Sequence, residues 1–166
     1  MTHHPDPPVS IFHGRILDTP DDPFTGGELR AEECALAVHD GVITFRGPLA
    51  EAQHRHPGDE VIAVDGLLLP GLVDTHVHYP QPRIIGGLGM PLLQWLDRCA
   101  LPEEARMADP AHAEAVAGEF VEGLIGAGTT TALVFGAHYA AATDALFLYA
   151  HGLGLLMRAG VVVADL

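Results

Sequence analysis

The chain contains no lysine. All eight of its basic residues are arginines, set against 22 aspartates and glutamates, for a net charge of −14 at pH 7. Such a surface repels phosphate backbones and anionic lipid, which argues against nucleic acid and membrane surfaces as partners. Cysteine is scarce as well. Cys34 and Cys99 lie far apart with no Cys-x-x-Cys spacing, which excludes a disulfide framework and predicts free thiols in a reducing compartment. No apolar run reaches the ~18–20 residues of a membrane span. Met1 to Ser10 has no basic segment followed by an apolar one, so no signal peptide is expected. Together these absences predict a cytoplasmic protein.

The first part of the chain reads as a small β domain. A proline-containing lead-in, Met1 to Pro8, precedes a strand over Val9–Leu17, and the acidic, Pro- and Gly-containing stretch Asp18–Gly27 is a loop. Cys34–His39 and Val42–Arg46 flank Asp40-Gly41, a dipeptide suited to a two-residue hairpin turn. A short helix is expected over Pro48–His54 and a strand over Val61–Val64. His3, His4, His13, His39, His54 and His56 share no spacing and no acidic partner, and read as solvated surface.

The second part alternates helical and extended patterns. Pro91–Arg98 is a short helix carrying Trp95, the only tryptophan. Asp109-Pro110 places an N-cap before a proline at the first helical position. Ala113, Val116, Ala117, Phe120, Val121, Leu124 and Ile125 then recur at helical spacing, and Gly126 and Gly128 end the helix. Thr129–Phe135 is expected as a buried strand, and Thr143 as the cap of a helix running to Arg158. The run Val161-Val162-Val163-Ala164-Asp165-Leu166 reads as the start of a third strand. Strands and helices joined this closely predict parallel βαβ units.

The most specific pattern lies between these parts. Leu67-Leu68-Leu69-Pro70-Gly71-Leu72-Val73-Asp74-Thr75-His76-Val77-His78 ends an apolar run in two histidines one residue apart. On an extended strand His76 and His78 share a face about 7 Å apart, with Leu72 and Asp74 alternating onto it. Neutral imidazoles so placed converge on one divalent ion, and zinc, iron and nickel all suit them. A His-x-His alone matches by chance too readily to specify a metal. Here it closes a hydrophobic strand where polar side chains need partners, which favours half of a metal site.

Pro70-Gly71-Leu72-Val73-Asp74-Thr75-His76-Val77-His78 resembles the first-strand signature of the amidohydrolase superfamily, metal-dependent hydrolases built on a (β/α)8 barrel. Tyr79-Pro80-Gln81, Leu92-Leu93-Gln94-Trp95-Leu96 and Gly128-Thr129-Thr130-Thr131-Ala132-Leu133-Val134-Phe135 are similar in order and spacing to the guanine deaminase group of that superfamily. The likeness runs from about Leu69 to the end and is looser over Val9–Gly66.

The resemblance implies an α/β fold in two parts. Residues 1–66 would be a small β domain, a portion of a composite β-sandwich, and 67–166 the first strand–helix units of the barrel. A barrel needs about 250 residues, so the expectation is an N-terminal portion of a larger protein. It further implies hydrolysis of guanine to xanthine and ammonia, one Zn2+ per subunit, and a homodimer. His76 and His78 become metal ligands, and His78, Tyr79, Pro80, Gln81 and Trp95 line the substrate. Gln81 leads, because a carboxamide carries both donor and acceptor to match a purine edge. Arg83 and His138 are weaker candidates.

The proton-shuttle glutamate and remaining ligands of such a site have no matching position before Leu166, and Asp165 matches none. The 166-residue chain alone is therefore expected to be inactive. Two alternatives remain open: another deaminase or cyclic-amide hydrolase of the superfamily, and an inactive truncated chain that needs a partner chain.

Overall fold

The computed structural model describes residues 8–163. His3, His4, most of the lead-in, and Ala164 to Leu166 with Asp165 lie outside them. The chain divides into two compact units, Met1–Pro70 and Gly71–Leu166. The division falls four residues past the boundary expected at 66, because the last strand of the first unit continues through Leu68.

In the first unit, β1 (Ser10–Asp18), β2 (Arg30–His39), β3 (Val42–Gly47), α1 (Leu49–Arg55) and β4 (Glu60–Leu68) follow one another. The sheet order is β3-β2-β1-β4, with β1 antiparallel to β2 and parallel to β4. Asp40 and Gly41 both take positive φ, 49° and 75°, the conformation a tight two-residue hairpin demands. Ile11, Ala35, Ala37 and Ala52 form the core, with Phe45, Leu49 and Val61 against it. His13, His39 and His56 are half-buried and His54 is exposed. Among the described residues no group of three or more His, Cys, Asp and Glu side chains could hold a metal.

The second unit begins with β5 (Leu72–His78), followed by a short 3-10 turn at Pro82–Ile84. The helix expected to end at Arg98 instead runs on. It comprises α2 (Leu92–Trp95), one wider π-type turn (Leu96–Ala100) and α3 (Leu101–Arg106). The wide turn lies just before Pro102, whose ring would clash with the carbonyl four residues back in a regular α-helix and which has no N–H to donate. Next come α4 (Pro110–Gly126), β6 (Thr129–Phe135), α5 (Ala140–Gly152) and β7 (Leu156–Gly160). The three strands pair in parallel in the order β5-β6-β7.

Asp109 caps α4, its carboxylate accepting the Ala111 N–H at 3.1 Å. The expected apolar stripe is buried from Ala113 to Val121, while Ile125 is exposed. This stripe meets Tyr79, Ala132, Val134 and Leu146 in one core.

Three expectations are corrected here. β6 is buried on one face only, since Ala132 and Val134 join the core with the helices while Leu133 and Phe135 are exposed. The last helix starts at Ala140 and stops at Gly152, because Gly154 takes φ 73°, a left-handed conformation that ends helices. The third strand is therefore Leu156–Gly160 rather than the valine run beginning at Val161.

Among the described residues no helix is long and apolar enough to cross a membrane.

Candidate functional site

The C-terminal ends of β5 and β6 build the site. β5 is not the buried strand its composition suggested, for Leu72 and Val73 are 55% and 63% exposed. Its pairing with β6 shifts between Asp74 and Val77, a bulge of the kind that re-aims side chains. Asp74 Oδ1 accepts the His76 backbone N–H at 3.0 Å within this irregularity. Asp74, expected to share a face with the histidines, is thus engaged by the backbone.

His76 and His78 nevertheless come together, their Nε2 atoms 3.4 Å apart. Phe135, paired with His78 in register, lies against both rings at centroid distances of 4.6 and 4.8 Å. It fixes their orientation from below. Burial pushes the His78 pKa down, and neighbouring His76 pushes the same way against a smaller opposing pull from Glu104. The neutral imidazole, the form that ligates a metal, is favoured.

The pair fits a metal ion. Two nitrogens 3.4 Å apart, each ~2.0–2.1 Å from one ion, subtend roughly 110°, close to the tetrahedral angle of zinc sites. Among the described residues no third His, Cys, Asp or Glu side chain joins the pair in a group that could hold a metal ion.

A cleft of about 600 Å³ opens beside the pair, lined by His76, His78, Gln81, Trp95, Phe120 and Leu124 among others. Gln81 and Trp95, both expected at the substrate, are among the residues lining this cleft. Tyr79 and Pro80 are not. Tyr79 is 0% exposed, and its hydroxyl donates to the Ala113 carbonyl at 2.6 Å. Burial raises its pKa. Pro80 is equally buried. Tyr79 packs the strand end onto α4, and neither side chain offers surface to a ligand. Arg83 does not line the cleft itself but grips Glu119, which does, with Nε at 3.0 Å and Nη2 at 2.6 Å.

Phe135 and Glu104 both escaped the sequence reading. Glu104 accepts from Gln81 Nε2 at 2.8 Å through Oε1, while its Oε2 lies 3.1 Å from His138 Nε2. His138 Nδ1 in turn lies 2.8 Å from the Val162 carbonyl oxygen. Glu104 is reached only because the helix from Leu92 continues past Arg98, and no spacing signal marks it.

Residues 67–165 match the Amidohydrolase family. The chain is 51% identical over 165 residues to a probable guanine deaminase of Deinococcus radiodurans, covering 95% of this chain and 38% of that protein. The crystal structure of a guanine deaminase from Bradyrhizobium japonicum superposes with a TM-score of 0.87 at 32% identity, over 95% of this chain and 36% of that one. That of a guanine deaminase from C. acetobutylicum, with guanine bound in its active site, gives 0.77 at 26% identity over 92% and 36%. The chain thus spans just over a third of the length of the relatives it matches.

Proposed function

This chain belongs to the amidohydrolase family, and from that membership we propose that the whole protein is a zinc-dependent guanine deaminase that releases xanthine and ammonia. The observation that carries the reading is the imidazole pair, Nε2 to Nε2 3.4 Å, at the wall of a cleft that also holds the Gln81 carboxamide. The similarity to guanine deaminases over 95% of the chain supports the choice of substrate. In this reading β5, β6 and β7 are the first strands of a (β/α)8 barrel, whose chemistry gathers at strand C-termini. Residues 1–66 are then a separate β domain.

His76 and His78 would hold the ion. The chemistry a zinc ion supplies when bound is activation of water, whose pKa falls toward ~7. The chain's own residues do the rest of what falls to them. Phe135 keeps both rings aligned, and the depressed His78 pKa keeps a nitrogen lone pair free at neutral pH. Gln81 meets the purine edge with its carboxamide. Trp95 and Phe120 wall the cleft with flat apolar surface against which a heterocycle packs.

The test is turnover by the natural protein loaded with zinc. Guanine should yield xanthine and ammonia, and His76→Ala should lower both bound zinc and turnover. Full activity in His76→Ala, or hydrolysis of a cyclic amide with guanine untouched, would sink the reading.

A further inference from the structure

We infer that Glu104 is the positioning residue that decides which end of the Gln81 carboxamide a ligand meets, an inference that rests on the purine-deaminase reading above. A carboxylate only accepts hydrogen bonds. At 2.8 Å from Glu104 Oε1 the atom facing it must therefore be the amide nitrogen of Gln81. The same nitrogen stands 3.5 Å from His78 Nδ1. The Glu104 contact occupies the N–H end of the carboxamide, and among the described residues its carbonyl oxygen has no hydrogen-bond partner.

An untethered glutamine can rotate and offer donor or acceptor to whatever binds. Tethered by Glu104, Gln81 offers its oxygen. The carboxylate cannot swivel to release it, because Oε2 is occupied by His138, which is itself anchored on the Val162 carbonyl. Three segments far apart in sequence thus fix one oxygen at the cleft wall.

That oxygen selects ligands by protonation pattern. An aminopurine with an N–H beside the amino-bearing carbon, as in guanine, gives it a donor. An aminopurine whose ring nitrogen there is unprotonated sets two acceptors against each other, and buried unpaired acceptors are strongly disfavoured. Glu104 acts through Gln81 and touches no substrate itself.

The natural protein tests this with guanine and 2-aminopurine, which carries the same amino group beside an unprotonated ring nitrogen. Glu104→Leu keeps roughly the side-chain size but leaves Gln81 Nε2 without its acceptor, so the carboxamide is released to turn over. The expected result is a guanine KM raised roughly 10-fold with kcat little changed, the pattern of a lost uniform binding interaction. The preference for guanine over 2-aminopurine should fall with it. The reciprocal double variant Gln81→Glu/Glu104→Gln restores a tethered acceptor and should recover that preference, which a merely structural role would not produce. Thermal melts establish that the variants are folded.

An unchanged KM and preference in folded Glu104→Leu overturns the inference while leaving the function intact. So does a fall in kcat alone that the double variant fails to reverse. Absence of guanine turnover by the unsubstituted protein fails the functional reading and this inference together.

Discussion

Tyr79 and Gln81 are two residues apart and do opposite jobs. Gln81 lines the cleft, whereas Tyr79 is sealed in the core with its hydroxyl on the Ala113 carbonyl. Family resemblance groups them as one motif; burial separates them. Tyr79→Phe removes one buried hydrogen bond and should cost about 1 kcal/mol of stability, measured by urea denaturation, with the guanine KM unchanged. A raised KM at normal stability would return Tyr79 to the binding surface. The histidine pair was legible from spacing alone, because period-two geometry places both rings on one face. Phe135 and Glu104 were not. Phe135 reaches the rings through strand register, and Glu104 reaches Gln81 across 23 positions of chain.

At the scale of elements, local chemistry that acts within a few residues was readable. The Asp40-Gly41 turn, the Asp109 cap with Pro110, and the bounds of β6 all follow from such short-range rules. Asp109→Ala should cost about 1 kcal/mol through the lost N-cap bond to Ala111, within the usual range for capping residues. Paired melts of the two proteins would show it, and equal stability would mean that solvent replaces the cap without loss. What escaped the sequence were features where two rules compete. Pro102 argues for a helix break, yet a single wide turn accommodates it and the helix proceeds to Arg106. The pattern from Thr143 to Arg158 argues for one long helix, yet Gly154 at positive φ cuts it and frees β7. Composition likewise overstated the burial of β5 and β6, because apolar runs do not say which face a helix will cover.

For the molecule as a whole, acidity is the dominant property, and each compact unit contains a carboxylate whose pKa an arginine depresses. In the first unit the hydrogen bond from Arg46 lowers Glu32 below its ordinary 4.5. In the second the bond from Arg83 lowers Glu119 in the same way. Between the depressed value and the ordinary one, the unfolded chain binds more protons than the folded one, so stability rises with pH. Each contribution is full above about 4.5 and is lost as pH falls through the folded value. Glu119 is exposed and Glu32 only half-buried, so solvent screens both and the effect on stability is small. Its sign is nevertheless firm. Glu119→Gln should flatten the acid limb of the second unit's stability profile, read through Trp95, the single tryptophan and a residue of that unit. Glu32→Gln should flatten the far-ultraviolet circular dichroism profile, to which both units contribute, and leave the Trp95 signal unchanged if the units unfold separately. An acid limb as steep in Glu119→Gln as in the unsubstituted protein would show that the Arg83–Glu119 pair contributes nothing to folding.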